Sequence, residues 1–389
     1  MIVAPLAGRP QEAVRVALLS CGWEGDLARS TAAGLESLAF RVDGLSESAM
    51  EALVRLGGKL GLEIVSGEGW ILVAGGRARL AALARPWIVP EPLAELAMAL
   101  GRALPAEEPR VWQTARGPIP LDVPVLVGIL NVTPDSFSDG GRLTDVDLAV
   151  ARAEAMFAAG ARVLDIGGES TRPGAEPVPE AEERRRVIPV IAAIARRLPA
   201  AVLSIDTVKS GVARAAIDSG AAVVNDVSGL RLDPLMGGVV AELGAGLVLM
   251  HSRGSVADMA SLDHAEYPRG VLPEVMAELG GALERAYAAG IPAERIVLDP
   301  GLGFGKSAEQ NLELLRGLEA FRALGRPVLV GPSRKRFLGA VTGRAVGERD
   351  VATAGASVTA WINGARLFRV HEPAAVRDAL LVAAAIHPA

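Results

Sequence analysis

The chain has 389 residues, 50% of them hydrophobic and 22% charged, which excludes an intrinsically disordered protein and predicts a large buried core. The hydrophobic core of a single domain stops growing at about 250–300 residues, so two domains are expected. The formal net charge of −5 gives no general attraction to nucleic acid or anionic membranes, and one cysteine excludes a disulfide or a cysteine-ligated metal site within the chain.

The amino-terminal sequence MIVAPLAGRPQEAVRVALLS has no charged segment followed by a sustained apolar run, so we expect no signal peptide. Elsewhere glycine and charged residues interrupt the apolar runs well before the ~20 residues that a membrane span needs. We therefore expect a cytoplasmic protein.

The first part of the chain predicts a small α+β domain. Strand and helix patterns alternate over residues 38–45, 46–61, 62–67, 70–75, 77–84 and 92–104. Ser46 is a plausible N-cap of the first helix, and a Gly-Glu-Gly turn predicts a hairpin of the next two strands. Residues 105–124 contain five prolines and are interpreted as a linker. The predicted domains are residues 1–117, whose role is unknown, and residues 118–389.

After the linker, apolar β-branched runs alternate eight times with helical patterns. The predicted strands are 125–130, 162–166, 202–206, 222–226, 246–250, 295–299, 327–331 and 366–370. The predicted helices are 145–159, 180–198, 208–219, 232–244, 271–289, 308–324, 348–363 and 373–386. Eight such units in roughly 260 residues favour a closed (β/α)8 TIM barrel. An open doubly wound sheet is the alternative, but no glycine-rich dinucleotide motif supports it.

Polar residues end most of the predicted barrel strands, where this architecture carries its chemistry. Capping of the following helix explains any one of them, and it is our interpretation of Thr207, Ser228 and Asp145. Capping does not explain Arg369 and His371, which are two residues apart on one strand and share a face. The loops after strands seven and eight of such barrels commonly bind phosphate, so this pair predicts a diphosphate site.

Asp206, Asn225 and Asp299 end three further strands and are expected to meet at the barrel mouth. A flat heterocycle with a 2-amino-4-oxo edge presents adjacent N–H donors, which carboxylates accept in charge-assisted bonds. Lys335 could donate to the same ring from the opposite side. Metal ligation by the two aspartates is the alternative, although no histidine-containing ligand motif accompanies them.

Taken together, these motifs resemble those of dihydropteroate synthases. The matching strings occur in family order and cover essentially all of residues 125–386: GILNVTPDSFSDGG (128–141), LDIGGESTRPGA (164–175), SIDT (204–207), NDVSG (225–229), LMH (249–251), DPGLGFGK (299–306), GPSRK (331–335) and RVH (369–371). The resemblance implies a transferase that condenses a dihydropterin-methyl diphosphate with p-aminobenzoate, giving dihydropteroate and pyrophosphate for folate biosynthesis.

The resemblance also implies a role for each matched position. Residues implied to contact the pterin are Asp206, Asn225, Met250, Asp299 and Lys335. Residues implied to hold the diphosphate are Asn131, Arg369 and His371, with Asn131 also binding Mg²⁺. Residues implied to frame p-aminobenzoate are Thr171, Arg172, Pro173, Phe304 and Ser333. The catalytic set is Lys335, Arg369, His371, Asp206 and Asp299, and Asp135 and Phe137 lie on the first of two implied mobile loops, 132–142 and 168–179.

Two other functions stay open at this point. One is a barrel that handles methyltetrahydrofolate for a corrinoid partner, and the other is a non-catalytic pterin-binding module. The STRPG string and the Arg369–His371 pair argue against the first, and an intact Lys335 argues against the second. Family members are usually homodimers, so the resemblance implies a homodimer with small-molecule substrates and neither nucleic-acid nor membrane partners.

Overall fold

The computed structural model describes residues 2–5, 38–67, 69–85, 89–104, 109–132, 145–170 and 176–388. The chain divides into two compact units. The first comprises Met1–Glu107 and Glu319–Gly325, and the second comprises Glu108–Leu318 and Arg326–Ala389.

The first unit contains a four-stranded antiparallel sheet and three α-helices. Its strands are β1 (Ile2–Pro5), β2 (Leu38–Asp43), β3 (Glu63–Gly67) and β4 (Trp70–Gly75), in the order β1-β2-β4-β3. Its helices are α1 (Glu47–Leu60), α2 (Arg77–Leu83) and α3 (Ala94–Ala103), with a 3-10 turn at Glu91–Leu93. Ser46 caps α1 by accepting a hydrogen bond from the Ala49 amide, and Gly61 ends it in the left-handed conformation, at φ 65°. These elements confirm the secondary structure predicted between residues 38 and 104.

The second unit is a closed barrel of eight parallel strands. They are β7 (Val125–Asn131), β8 (Ala161–Gly167), β9 (Val202–Asp206), β10 (Val223–Asp226), β11 (Gly246–Met250), β12 (Ile296–Asp299), β13 (Val328–Val330) and β14 (Ala365–Val370). The last strand pairs with the first, through Leu367 with Val125 and Arg369 with Val127, so the sheet has no open edge. The predicted TIM barrel is confirmed, and the alternative of an open sheet is wrong.

Helices surround the barrel. They are α4 (Asp145–Ala158), α5 (Glu180–Arg197), α6 (Ser210–Asp218), α7 (Met236–Leu243), α8 (Val271–Ala288), α9 (Ala308–Arg316), α10 (Arg336–Thr342), α11 (Asp350–Ile362) and α12 (Pro373–Ile386). Short 3-10 turns span Leu262–His264, Ala293–Arg295, Leu318–Leu324 and Val346–Glu348. The helix predicted over 308–324 ends at Arg316, because Gly317 disfavours a helix interior and takes the C-cap position instead. None of the described helices is both long and apolar enough to cross a membrane.

A hairpin within the Pro-rich segment closes the barrel at the amino ends of its strands. It consists of β5 (Val111–Thr114) and β6 (Gly117–Pro120). Trp112 is 1% exposed, packs among the valines and leucines of the barrel core, and donates from Nε1 to the Arg295 carbonyl at 2.8 Å. Because the hairpin fills the barrel at the amino ends of the strands, the polar residues lie at the opposite end, where the strands have their carboxyl ends.

Candidate functional site

The strand registers bring the predicted polar residues to one level of the barrel. Asn225 pairs in register with Asp206 on the neighbouring strand, and Asp299 pairs with Met250. Gly167, at the end of β8, pairs with Asn131 on one side and Asp206 on the other. The carboxyl rim of the barrel therefore carries amides and carboxylates side by side, as the sequence predicts.

Arg369 is the centre of a hydrogen-bond network at this rim. Its Nε donates to Asp165 Oδ2 at 2.6 Å and its Nη2 donates to Asp206 Oδ2 at 2.6 Å. Asn225 Nδ2 donates to the same Asp165 oxygen at 3.0 Å. Asp165 is 1% exposed, so these charge-assisted bonds are shielded from water. Asp165 was not assigned to the site from the sequence, because its bonds to Arg369 and Asn225 join residues that are far apart in the chain.

Two carboxylates at the mouth are held in a poorly solvated environment. Burial raises the pKa of Asp206, although the nearby Arg369 guanidinium works in the opposite direction. Burial also raises the pKa of Asp299 to about 6, against a backbone hydrogen bond from Gly301 and the charge of Lys335. Perturbed carboxyl groups gathered in one concave polar site are typical of functional sites.

Lys335 faces the same mouth from the loop after β13. Its Nζ lies 4.1 Å from the centre of the Phe304 ring, and burial together with repulsion from Arg369 lowers its pKa to about 8. The preceding Arg334 has φ 57°, a conformation that non-glycine residues rarely adopt. Two hydrogen bonds from Arg334 to Asp350, at 2.8 and 2.9 Å, hold this turn and thereby direct Lys335.

The loop after β12, which carries Phe304, is organised by a buried lysine. Lys306 Nζ donates to the carbonyls of Gly301 and Phe304 at 3.0 and 2.9 Å, and to His251 Nδ1 at 2.9 Å. Burial lowers the pKa of Lys306 to about 7. Sequence reasoning did not assign Lys306 to the site, although the scarcity of lysine in the chain was a signal for it.

His251 belongs to this buried support. Because its Nδ1 accepts from Lys306, its Nε2 donates to Glu278 at 3.1 Å. Burial and the Lys306 charge lower its pKa to about 4. The geometry thus favours a core role for His251, because buried or partly buried neighbours engage both of its ring nitrogens.

His371 is paired with Ser333. The Ser333 hydroxyl oxygen accepts from the His371 amide at 3.1 Å and lies 2.9 Å from its ring Nδ1. Burial, followed by the charge of Arg369, lowers the pKa of His371 to about 3. The imidazole is therefore neutral near pH 7. Because the Ser333 oxygen already accepts from the His371 amide, we infer that its hydrogen points to Nδ1 and that the ring proton is on Nε2.

An apolar wall completes the mouth. Buried Met250 packs with Val208, Val227 and Met259, and Phe304 lies against this cluster. This apolar surface suits contact with the face of a flat ring, and the carboxylates and the amide are placed to hydrogen-bond to the edge of the ring. The two valines follow the ends of β9 and β10 and were not identified from the sequence.

The base of the second predicted loop is anchored beside this site. Lys209 Nζ donates to Glu169 at 2.9 Å and to fully buried Glu183 at 2.6 Å, and the other Glu169 oxygen accepts from the Val178 amide at 2.6 Å. The predicted residues Thr171, Arg172 and Pro173, together with Asp135 and Phe137 of the first loop, lie outside the described residues.

Comparisons with known proteins agree with this geometry. A family model described as "Pterin binding enzyme" matches residues 127–371. The chain is 46% identical over 266 residues to the dihydropteroate synthase of Mycobacterium leprae, covering 67% of this chain and 92% of the relative.

Two solved structures of the Xanthomonas albilineans dihydropteroate synthase are also similar. The structure with 4-aminobenzoic acid has a TM-score of 0.67 at 45% identity and covers 71% of this chain and 98% of that chain. The complex with 7,8-dihydropteroate has a TM-score of 0.62 at 43% identity, covering 69% and 95%.

Proposed function

The chain belongs to the dihydropteroate synthase family of pterin binding enzymes, and on that premise we propose how its residues carry out the reaction. The enzyme is a transferase that joins 6-hydroxymethyl-7,8-dihydropterin diphosphate to p-aminobenzoate and releases pyrophosphate. We call the residues predicted to surround the pterin, Asp206, Asn225, Asp299 and Lys335, the pterin cup. The assignment of residues rests on the hydrogen bonds of Arg369, which join this pterin cup to the predicted diphosphate site.

The pterin lies in the barrel mouth, between Asn225 and Asp299. Asp299 accepts from the N–H donors of the ring edge, and Asn225, whose amide nitrogen is bound to Asp165, adds its amide oxygen as a further acceptor. Lys335 donates to the ring from the loop after β13, and Met250 contacts the face of the ring. Burial of this polar cup supports the assignment, because shielded charge-assisted bonds are stronger than exposed ones.

The diphosphate lies above β14. Among the residues that the structure describes, Arg369 bonds to two carboxylates through Nε and Nη2, which leaves Nη1 for the diphosphate, and His371 adds a neutral Nε2–H donor. Asn131 offers a hard oxygen that suits Mg²⁺: a Cβ at Gly167 would lie 3.8 Å from Asn131 Oδ1, so the glycine leaves space beside this oxygen. When bound, Mg²⁺ would neutralise charge on the diphosphate, with Asn131 among its ligands.

The p-aminobenzoate lies between the loops that surround Phe304 and Ser333. The family resemblance assigns Thr171, Arg172 and Pro173 of the second loop to this site as well, and it assigns Asp135 and Phe137 to the first loop. The anchored Glu169 supports this arrangement, since it ties the base of the second loop to Lys209 beside the pterin cup.

The reaction breaks the bond between the pterin methylene carbon and the diphosphate oxygen, and the electron pair leaves with the diphosphate. Arg369 stabilises the growing negative charge, while Asp206 and Asp299 stabilise positive charge spread into the pterin. The arylamine nitrogen then bonds to the methylene carbon and loses its proton to the departing diphosphate or to solvent. Closed loops keep water from capturing the carbon first.

A pyrophosphate-release assay tests this function. The account predicts release that requires both substrates and Mg²⁺. A barrel that transfers methyl groups from methyltetrahydrofolate, or a non-catalytic pterin-binding module, gives no pyrophosphate with the same pair of substrates.

We also propose a homodimer built on the last barrel helices. Large apolar side chains are exposed on α11 and α12, including Val351 at 86%, Leu381 at 50% and Ile386 at 66%. Exposed apolar side chains grouped on neighbouring helices are typical of an interface. Light scattering of the purified protein at twice the chain mass supports the dimer, and a monomer at micromolar concentration contradicts it. A cytoplasmic location stays a prediction that cell fractionation tests.

A further inference from the structure

Asp165 contacts two residues of the site, yet none of the roles above is assigned to it. It lies on β8 two residues before Gly167, the last residue of the strand, and is 1% exposed. One of its oxygens, Oδ2, accepts from both Arg369 Nε at 2.6 Å and Asn225 Nδ2 at 3.0 Å. A single carboxylate oxygen thus ties together the strands β10 and β14 across the barrel.

This contact determines which end of the Asn225 amide faces the substrate. A carboxylate only accepts hydrogen bonds, so the amide nitrogen must point to Asp165 and the amide oxygen must point away from it. Asn225 consequently presents its acceptor to the N–H edge of a bound ring. Without Asp165 the amide could rotate and turn its NH₂ group toward the N–H edge of the ring, so that two hydrogen-bond donors would face each other.

The same contact determines the direction of Arg369. With Nε held by Asp165 and Nη2 by Asp206, the guanidinium plane has one remaining edge, formed by Nη1, to offer to an anion. A guanidinium held in this way loses less side-chain freedom when it binds the leaving group.

The second oxygen of Asp165 has no bonding partner in the part of the chain that the structure describes, and the residue borders a small cavity under the site. Asp165 Oδ1 and Ser204 Oγ are both buried and have no hydrogen-bond partner among the described residues. Both residues line a cavity of about 10 Å³, together with Asn225 and Arg369. This is room for one water molecule, and buried polar atoms left unpaired are costly unless water satisfies them.

We propose that Asp165 is a positioning residue that orients Asn225 and Arg369, and that it holds one internal water with Ser204 beneath the pterin. This inference rests on the proposed placement of the pterin between Asn225 and Asp299. Asp165 itself touches neither substrate. Its effect on the reaction therefore passes through the two residues that it orients.

A double-mutant cycle on the binding of 7,8-dihydropteroate, measured by calorimetry, tests the proposal. Asp165→Ala should weaken binding about tenfold in the wild-type background but less than about threefold in the Asn225→Ala background, because the amide that it orients is then absent. Equal weakening in both backgrounds overturns the proposal. Near-ultraviolet circular dichroism confirms that each variant is folded.

The controls separate this inference from the proposed function. If the wild type fails to bind dihydropteroate, or Asp299→Asn binds it as well as the wild type, the pterin placement itself is wrong. If both behave as expected and Asp165→Ala binds normally, only the role of Asp165 is wrong. Asp226→Asn is the matched control, because the bonds that this buried carboxylate on β10 makes among the described residues go to the local Ser228 and Leu230, so the variant should leave the affinity within about threefold.

A second variant and a crystal structure keep the test decisive if Asp165→Ala does not fold. Asp165→Asn keeps the shape, and its loss of affinity should again depend on Asn225. A high-resolution crystal structure of the unliganded wild type should show the Asn225 nitrogen and Arg369 Nε on Asp165 Oδ2, with one water bridging Oδ1 and Ser204 Oγ. An Asn225 side chain turned away from Asp165, or a dry cavity, contradicts the proposal.

Discussion

Arg369 Nη2 donates to Asp206 Oδ2 at 2.6 Å, within the mouth of the barrel. Arg369 is proposed to hold the diphosphate and Asp206 to hold the pterin. The two halves of the substrate are therefore bound by residues that are hydrogen-bonded to each other. A change at either residue therefore alters both halves of the site.

Replacing Arg369 with lysine should be nearly as damaging as replacing it with alanine. An ammonium group is a single point of charge and cannot bridge Asp165 and Asp206 while also facing the diphosphate. Losing two shielded charge-assisted bonds of roughly 1.5–3 kcal/mol each predicts a fall of about 100-fold or more in kcat/KM, measured by pyrophosphate release.

Arg366→Lys is the matched control for that experiment. Arg366 is a buried arginine on the same strand, and it packs over the Trp361 ring instead of facing the site. It should keep activity within about threefold. An Arg369→Lys enzyme with activity near that of the wild type would show that bridging is not required.

Asp299→Asn should abolish tight pterin binding and yet stabilise the protein at neutral pH. The folded pKa of Asp299 is raised from 3.8 to about 6 by burial, so between these values the native state binds a proton that the unfolded state has lost. Stability therefore falls as pH rises through this window, by about 3 kcal/mol.

Asparagine carries no such cost, and its amide oxygen still accepts from the Gly301 amide. The stability of Asp299→Asn relative to wild type should thus increase between about pH 4 and pH 7 in urea unfolding experiments. A stability difference that stays constant with pH would show that Asp299 does not titrate as described.

Ser333→Ala should lower activity because the ring proton of His371 is then no longer fixed on Nε2. The Ser333 oxygen accepts from the His371 amide, so its own hydrogen is available for the ring Nδ1, which places the ring proton on Nε2. Loss of this bond, worth about 0.5–1.5 kcal/mol, predicts a decrease of about 3–10-fold in kcat/KM.

The charge of His371 can be followed directly. Because its pKa is lowered to about 3, nuclear magnetic resonance should show a neutral ring throughout the range in which the enzyme works. Ser357→Ala, at a buried serine that donates to the Thr353 carbonyl within α11, should leave the rate nearly unchanged. A His371 ring that protonates near pH 6.5 would contradict this interpretation.

Lys306→Met should destabilise the protein and raise the KM for p-aminobenzoate more than it lowers kcat. The variant leaves the carbonyls of Gly301 and Phe304 and the His251 ring without their donor, which costs about 3 kcal/mol. The loop then no longer holds Phe304 in place. Thermal unfolding and steady-state kinetics measure the two effects, with exposed Lys59→Met as the control. Unchanged values of both would exclude Lys306 as the support of this loop.

The sequence was sufficient to predict the barrel and most of the rim. Eight apolar runs of strand length, each followed by a helix, leave few alternatives to closure, and the polar residue after each run must then face the same end. Asn225 and Asp299 are gathered in this way by parallel strand geometry alone.

The sequence was not sufficient where side-chain direction decides the outcome. Arg369 turns toward Asp165 and Asp206 because two carboxylates from strands distant in sequence attract it, which no local pattern records. The hairpin around Trp112 escaped prediction for another reason. Its strands of four residues are too short to display a period, and the prolines in the segment favoured irregular structure.

The most direct test of the central claim is a crystal structure of the protein with 7,8-dihydropteroate. The account predicts the bicyclic ring inside the barrel mouth between Asn225 and Asp299, with Arg369 still bonded to Asp206 beside it. A ring bound outside the mouth, or one whose N–H edge makes no contact with Asp299, would contradict the account.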